Sequence, residues 1–268
     1  MNKPLVSIIT PLLNQGRYIE ETILSVLNQT YDNIEYLIMD GGSTDNTSEI
    51  VSKYARDQRI KWFSEADEGQ YDAINKGFRK AKGSILAYIN ADDLYLPGTV
   101  LNVVECLRDT NDIDIVYGRY VYIDEKKNVL PFRPIVMNFD IKWLMRYDFI
   151  NPSATFIRAS VIKEGFYIDS SISHFGDWDW FLRMAKAGKR FYFLDSELCY
   201  FRIHEHSRTL SMHKRKIEEQ RITIGKLHDF DIRKNIFFED IFFPWCSRIV
   251  KLLHVIKEFI GRLSVGIR

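Results

Sequence analysis

The sequence predicts an α/β protein built on an open, mostly parallel sheet with helices on both faces. In the first hundred residues, four short apolar runs alternate with three segments whose apolar residues recur at helical spacing. This β-α-β-α-β-α-β order predicts parallel strands, because a helix crosses the sheet between each strand and the next. With 268 residues, 46% of them hydrophobic and 27% charged, the chain is long enough to bury a core of its own.

The first elements have clear local signals. We predict strands over residues 6–10, 34–39, 60–63 and 84–89, and helices over residues 17–28, 47–56 and 71–82. Pro11 is expected to end the first strand, and Gly83 is expected to cap the third helix. No GxGxxG sequence follows the first strand, so the dinucleotide-binding fingerprint is absent.

The pattern is less regular after residue 95. Helices are predicted over residues 99–107, 177–187 and 213–226, and strands over residues 113–123, 190–194 and 197–203. No internal repeat, low-complexity tract or flexible linker interrupts the chain. This organisation indicates one domain followed by a helical tail.

Charge and cysteine content narrow the class of protein. The net charge of +1 gives no overall nucleic-acid signal, and only residues 202–268 are basic, with 14 Lys and Arg against 8 Asp and Glu. Cys106, Cys199 and Cys246 are far apart and form no CxxC pair, which is typical of reduced thiols in a cytosolic protein. The N-terminal apolar run is too short for a signal peptide, and no uncharged apolar run reaches the ~18–20 residues that span a bilayer.

Polar clusters follow four of the predicted strands, at residues 10–14, 40–45, 65–69 and 90–93. Ligands of an open parallel sheet bind beyond the carboxyl ends of its strands, so these clusters predict a binding site. The adjacent carboxylates of Asp92 and Asp93 repel each other unless a cation compensates, and their oxygens suit Mg²⁺ or Mn²⁺. A solvated turn that caps the next helix is the alternative interpretation.

Four segments of the sequence, two long and two short, resemble a known protein family. Residues 6–47 (VSIITPLLNQGRYIEETILSVLNQTYDNIEYLIMDGGSTDNT) and 67–93 (DEGQYDAINKGFRKAKGSILAYINADD) resemble the nucleotide-binding half of family 2 glycosyltransferases, which have the GT-A fold. Residues 176–188 (GDWDWFLRMAKAG) and 200–207 (YFRIHEHS) resemble the acceptor half. The resemblance implies a catalytic domain over residues 1–234, with a nucleotide-sugar half to about residue 95 and an acceptor half over about 96–210.

The resemblance also implies roles for individual residues. The side chains that would line the nucleotide-sugar pocket are Thr10, Pro11, Asn14, Tyr18, Asp40, Asp67, Asn75 and Asp92. Asp40 would contact uracil and Asp92 the ribose, while Asp93 would coordinate a divalent cation, Mn²⁺ or Mg²⁺. The first position of the family's DxD-type motif is Asn90 here, which is a departure from the pattern.

Two further elements lie in the acceptor half. Asp177 matches the aspartate of the family's Glu-Asp catalytic pair, but the glutamate position is Gly176, and Asp179 competes for the role. An acidic N-cap for the following helix is the structural alternative. His204, in an Arg-x-His element, would complete the metal coordination, with a structural histidine as the alternative and His206 as a competing ligand. Trp178 and Trp180 could stack on sugars, although packing in the core explains them more simply.

The C-terminal residues, 235–268, are expected to form an amphipathic helical tail. Apolar residues recur at helical spacing over 244–263, and residues 245–268 hold five basic residues and one acidic residue. This pattern fits an in-plane helix on the inner face of the cytoplasmic membrane, or a helix that packs on the domain or forms a homodimer.

The resemblance implies an inverting glycosyltransferase. It would transfer a sugar from a nucleotide sugar, with UDP as the nucleotide, to a hydroxyl of a saccharide or lipid-linked saccharide, in bacterial surface polysaccharide or lipopolysaccharide synthesis. No nucleic-acid partner is expected. A nucleotidyltransferase that makes a sugar nucleotide is the first alternative, and a non-catalytic nucleotide- or glycan-binding protein is the second.

Overall fold

The computed structural model describes residues 3–110, 112–205, 207 and 214–230. The chain divides after His204 into two compact units, each of which is described by itself. The first unit has the α/β architecture that the sequence predicts. The proposed boundary after residue 234, the tail helix and the competing ligand His206 all lie outside the described residues.

Eight strands of the described residues form one sheet in the order β3-β2-β1-β4-β7-β6-β8-β5. Their bounds are β1 (Val6–Leu12), β2 (Ile34–Asp40), β3 (Ile60–Ser64), β4 (Ile85–Tyr88), β5 (Leu94–Tyr95), β6 (Ile115–Ile123), β7 (Thr155–Arg158) and β8 (Phe191–Arg202). Strands β1 to β4 pair in parallel, as do β6 and β8. Because β7 is antiparallel to both β4 and β6, the carboxyl ends of β1 to β4, β6 and β8 meet at one edge.

Helices of the first unit are α1 (Ile19–Leu27), α2 (Thr47–Tyr54), α3 (Gln70–Lys80), α4 (Thr99–Asp109), α5 (Ile141–Leu144), α6 (Ala159–Lys163) and α7 (Gly176–Lys186). Every residue of β1 and β2 is buried, as expected for parallel strands that are covered on both faces. The second unit contains α8 (Lys214–Leu227), close to the predicted helix. Within the described part of the chain, no helix combines the length and hydrophobicity that a membrane crossing requires.

Three local predictions are corrected by the structure. Strand β1 continues through Pro11 to Leu12, because Pro11 lies opposite Met39 in the parallel pairing with β2. Gly83 does not cap α3, which ends at Lys80; instead, a Cβ at residue 83 would lie 2.6 Å from the backbone nitrogen of Ser7. The two strands predicted after residue 190 are one strand, β8, whose pairing with β6 shifts register near the middle.

Strand β7 and helices α5 and α6 were not predicted. Each is only four or five residues long, which is too short for a periodic pattern to emerge. Strand β7 nevertheless lies between β4 and β6 and joins the two parallel halves of the sheet. Its position follows from pairing with distant strands, so it is decided by tertiary structure.

Candidate functional site

The carboxyl edge of the sheet brings together residues from distant parts of the chain. The β4 strand leads into residues 90–93, and β8 leads into His204. The Nε2 atom of His204 lies 2.9 Å from Oδ2 of Asp92, across 112 residues of sequence. The His204 side chain is buried, whereas that of Asp92 is 21% exposed. The pair therefore offers two candidate metal-ligand atoms at the predicted site, a carboxylate oxygen and an imidazole nitrogen.

Asp93 points into the protein instead. Asp93 is only 1% exposed, and its Oδ1 accepts a hydrogen bond from the backbone nitrogen of Arg202 at 3.0 Å. Its Oδ2 accepts from the Ser153 hydroxyl at 2.6 Å and from the Asn90 amide at 3.1 Å. Three protein donors and burial leave Asp93 poorly placed to contact a cation directly. The geometry therefore favours Asp92, beside His204, over the predicted Asp93 as the direct ligand of a cation.

Asn90, which departs from the family motif, has a structural explanation. Its amide nitrogen donates to Asp93, and its amide oxygen accepts from Gln70 Nε2 at 2.8 Å. An aspartate at residue 90 could not donate to Asp93, and it would add a third carboxylate to a partly buried cluster. The amide thus links the first turn of α3 to the buried carboxyl group.

Burial, and then the charge of Asp92, raises the pKa of Asp93 from 3.8 to about 8. The folded protein therefore binds a proton that the unfolded chain releases at about pH 4, so this residue's contribution to stability falls as the pH rises from about 4 to 8. The loss is at most about 1.4 kcal/mol per pH unit. We expect the melting temperature of wild type in EDTA to fall more steeply between pH 5.5 and 8.5 than that of Asp93→Asn. Parallel curves for the two proteins would contradict this expectation.

Arg202 holds in place the loop at residues 90–93, the candidate metal motif. This buried guanidinium donates through Nε to the Asp92 carbonyl at 2.8 Å, through Nη2 to the Glu21 carboxylate at 2.6 Å, and through Nη1 to the Glu125 carbonyl at 3.1 Å. It thereby ties α1, the loop after β4 and the loop after β6 to the end of β8. Hydrogen bonds from Lys127 and Arg202 outweigh burial and keep the pKa of Glu21 below its usual range.

Tyr18 lies between these charged groups and the His204 ring. Its ring packs against the His204 ring with centroids 4.7 Å apart, and the guanidinium of Arg202 lies 5.0 Å from its centroid. The Arg17 guanidinium lies 5.2 Å from the same ring and forms an ion pair with Glu125. Burial, followed by the charge of Glu125, raises the pKa of Tyr18.

The loops after β1 and β2 form a connected surface. Asn14 is exposed in a left-handed conformation with φ of 54°, and its amide oxygen accepts from the backbone nitrogen of Thr44 at 2.8 Å. Asp40 is buried at the end of β2, where Oδ1 accepts from Ser43 and Oδ2 accepts from Ser64. The two loops therefore hold each other, with Asn14 facing solvent and Asp40 beneath.

The remaining predicted nucleotide residues differ in their positions. Asp67 is partly exposed, and a Cβ at residue 41 would come within 2.5 Å of its Oδ2, so its carboxylate lies against the Asp40–Gly41 turn. Thr10 and Pro11 are buried within β1, and the Thr10 hydroxyl contacts that of Tyr36 at 2.9 Å. These contacts do not support a direct role for the Thr10 side chain in nucleotide binding.

Asn75 also serves a structural purpose. Its buried side chain donates to the carbonyl of Ile168 at 2.7 Å and accepts from the backbone nitrogen of Ile168 at 3.0 Å. This pair of hydrogen bonds fastens the segment before α7 to α3. Because both the amide nitrogen and the amide oxygen of Asn75 bond to Ile168, the geometry favours a structural role over contact with the nucleotide sugar.

The two aspartates of α7 have different environments. Asp179 is buried and forms an ion pair with Arg183, one helical turn later, at 2.7 Å. Asp177 is partly exposed, and its Oδ1 lies 3.4 Å from the Tyr71 hydroxyl and accepts from the backbone nitrogen of Trp178. Of the two competing carboxylates, Asp177 is therefore the better candidate for contact with a substrate.

The tryptophans of α7 pack in the core. Trp178 and Trp180 are almost completely buried, and their indole nitrogens donate to the carbonyls of Leu144 and Phe166. Neither ring is available to stack on a sugar in this structure. The simpler of the two interpretations of these residues is therefore the right one.

The first turn of α3 connects the two parts of the site. Gln70 contacts Asn90 of the metal motif, and the next residue, Tyr71, contacts Asp177. Because these are consecutive residues of one helix, the candidate base and the loop at residues 90–93 both contact the same helical turn. From the sequence, Tyr71 is predicted only as the first residue of this helix, and Gln70 lies just outside the predicted bounds.

The donor set at this edge fits a divalent cation that is also bound by a ligand. Among the described residues, no three His, Cys, Asp or Glu side chains form a complete metal site. Asp92 and His204 alone supply a carboxylate and an imidazole, a set that suits Mn²⁺ and leaves positions for phosphate oxygens.

Comparisons with known proteins agree with this fold. The family model described as Glycosyl transferase family 2 matches residues 7–163. An uncharacterized glycosyltransferase of Rickettsia typhi is 32% identical over 75% of this chain and 65% of its own length. The chain spans between 21% and 65% of three Rickettsia relatives.

Solved structures with the same fold include two ligand complexes. Staphylococcus aureus TarS 1-349 with UDP-GlcNAc has a TM-score of 0.67 and 19% identity, over 82% of this chain and 65% of that one. The mannosyltransferase PcManGT of Pyrobaculum calidifontis with GDP-Man and Mn²⁺ has a TM-score of 0.61 and 18% identity, over 77% and 59% of the two chains. These likenesses identify the GT-A fold.

Proposed function

The chain belongs to glycosyl transferase family 2, and we propose that it is an inverting enzyme that transfers a sugar from a UDP-sugar to a hydroxyl of a saccharide or lipid-linked saccharide. The observation that carries this proposal is that the first turn of α3 contacts both Asn90, in the loop that holds Asp92 beside His204, and Asp177. The loop offers ligands for a cation, and Asp177 offers a partly exposed carboxylate.

The donor would bind over the loops that follow β1, β2 and β4. Asn14 and Asp67 are accessible there, and Tyr18 forms part of the wall. The role of Asp40 in recognising uracil rests on the family resemblance, since its buried carboxylate accepts from Ser43 and Ser64 in this structure. UDP is favoured because TarS, which shares the fold, has been solved with UDP-GlcNAc. The identity of the sugar is left to the assay described below.

Asp92 and His204 would hold the divalent cation, with Asp93 supporting the loop from within. When bound, such a cation stabilises the negative charge that develops on the leaving diphosphate. Arg202 is occupied by Glu21 and by two carbonyls, so within the described residues it serves the loops rather than the phosphates. The Mn²⁺ in the PcManGT complex supports a metal of this class.

Asp177 would act as the general base. It takes the proton of the acceptor hydroxyl, whose oxygen attacks the anomeric carbon from the face opposite the diphosphate. The bond between that carbon and the diphosphate oxygen breaks with its electron pair on the oxygen, so UDP leaves and the configuration inverts. A general base of this kind contributes typically ~10²–10⁴-fold to the rate.

The acceptor and the cellular setting follow from the family resemblance alone. We propose synthesis of a bacterial surface polysaccharide or lipopolysaccharide at the inner face of the cytoplasmic membrane. Contact with the membrane, or dimerisation, would use the basic tail at residues 235–268.

A panel of nucleotide sugars tests the proposed function directly. The full chain is incubated with UDP-glucose, UDP-galactose, UDP-GlcNAc and GDP-mannose, with Mn²⁺ or EDTA, and release of the free nucleoside diphosphate is measured. We expect one UDP-sugar to be consumed in a cation-dependent reaction. Release of pyrophosphate from UTP and a sugar phosphate would instead support the nucleotidyltransferase alternative. Binding of UDP without turnover of any donor, even with saccharide acceptors present, would support a non-catalytic protein.

A further inference from the structure

We propose that Tyr71 is a positioning residue for Asp177, and that residue 176 is glycine because the Tyr71 ring occupies the space of its side chain. This inference rests on the proposed role of Asp177 as the base. It concerns a contact between α3 and the start of α7, in which Tyr71 touches Gly176, 105 positions later in the chain, and Asp177, 106 positions later.

The hydroxyl of Tyr71 contacts two consecutive residues of α7. It accepts a hydrogen bond from the backbone nitrogen of Gly176 at 3.1 Å, and it donates to Oδ1 of Asp177 at 3.4 Å. Gly176 is the first residue of α7, so its N–H group has no acceptor within the helix. Accepting this N–H orients the hydroxyl oxygen, which directs the hydroxyl hydrogen toward the carboxylate.

The glycine is a steric requirement of this arrangement. A Cβ at residue 176 would lie 2.6 Å from Cε2 of Tyr71 and 3.0 Å from both Cδ2 and Cζ. The ring is itself buried, so it could make room only by leaving its place in the core. Any side chain at residue 176 would therefore displace the hydroxyl from Asp177.

The consequence for Asp177 is a restricted carboxylate. Its Oδ1 receives both the Tyr71 hydroxyl and the backbone nitrogen of Trp178, the latter at 3.1 Å. Two donors on one oxygen limit rotation about the side chain, which otherwise samples several rotamers. The 3.4 Å separation is long, as hydrogen bonds at active sites often are before a substrate is bound.

Tyr71 also fixes the position of Asp177 relative to the loop at residues 90–93. Its neighbour Gln70 contacts Asn90, so the same turn of α3 holds both groups. Because a small displacement of a reacting group costs much of the rate, this turn would affect turnover without contacting the nucleotide.

Tyr71→Phe tests the proposal, because it keeps the ring and removes only the hydroxyl. The donor is the nucleotide sugar from the panel above that releases most nucleotide, and kcat, donor KM, the Kd of UDP with Mn²⁺ and the melting temperature are measured. We expect kcat to fall about tenfold, the effect of losing one hydrogen bond to a charged group, with KM and Kd within twofold of wild type. Tyr54→Phe is the matched control, since it removes a part-buried tyrosine hydroxyl that likewise donates to a carboxylate, that of Glu20, at 2.9 Å.

Gly176→Ala tests the steric part of the proposal, which is that the Tyr71 ring leaves no space for a side chain at residue 176. We expect it to lower kcat at least as much as Tyr71→Phe, and the double variant to be little slower than Gly176→Ala alone, because the hydroxyl contact is already lost. Wild-type kcat in Tyr71→Phe, or kcat and UDP affinity that fall together with the melting temperature, would overturn the proposal. A wild-type protein that turns over no donor would overturn the proposed function, and this inference with it.

Discussion

Replacing Asp177 with asparagine is expected to reduce turnover by at least ~10²-fold while leaving nucleotide affinity close to wild type. An asparagine Oδ1 can still accept from Tyr71 and from the backbone nitrogen of Trp178, so the start of α7 should keep its structure. What is lost is the ability to take a proton from the acceptor. The measurement is kcat with the best donor of the panel, together with the Kd of UDP in the presence of Mn²⁺.

Asp179→Asn is the matched control, because it changes the same helix by the same atom exchange. Asp179 is paired with Arg183 and buried, so this substitution should lower the melting temperature and leave turnover within about threefold of wild type. An Asp177→Asn variant that retains more than a tenth of wild-type turnover, beside an inactive Asp179→Asn, would show that the base is Asp179.

Replacing Asp92 with asparagine is expected to remove most of the effect of Mn²⁺ on UDP binding. The Asp92 carboxylate lies 2.9 Å from the His204 ring, and together they are the candidate ligands that the site offers. Loss of even an outer partner of a metal site costs ~10–100-fold in affinity, so loss of a direct ligand should cost at least that much. Calorimetric titration with UDP, in Mn²⁺ and in EDTA, measures the effect.

Asp32→Asn controls for the loss of one negative charge, because Asp32 forms an exposed ion pair with Lys3. Asp93→Asn should reduce the effect of Mn²⁺ less than Asp92→Asn does, since Asp93 already accepts three protein hydrogen bonds. The reverse order, with Asp93→Asn the more damaging and equally well folded, would restore Asp93 as the direct ligand.

Much of the nucleotide-binding half could be predicted from residue patterns. The strands β1 to β4 and helices α1 to α3 are formed by local runs whose periodicity is visible without a partner. The polar clusters after these strands were expected at one edge, because parallel strands end on the same side. The family resemblance, confirmed over residues 7–163, directed attention to Asp92 and Asp93. Asp177 and His204 came from the two shorter segments of the resemblance, which lie outside that match.

The sequence by itself determined the fold class and the family, and it supplied the candidate residues Asp92, Asp93, Asp177 and His204, but not Tyr71 or Gln70. The tertiary structure distinguishes Asp92 from Asp93 and Asp177 from Asp179, because it shows which carboxylate of each pair is buried among protein donors. Asp92 and Asp93 are equivalent in a pattern, but Ser153, Asn90 and the backbone of Arg202 draw Asp93 inward. Asp177 and Asp179 are distinguished in the same way, because Arg183 pairs with the buried Asp179 whereas Tyr71 contacts Asp177. The reason is physical: a carboxylate's role depends on which donors surround it, and several of these donors lie 60 or more residues away in the chain.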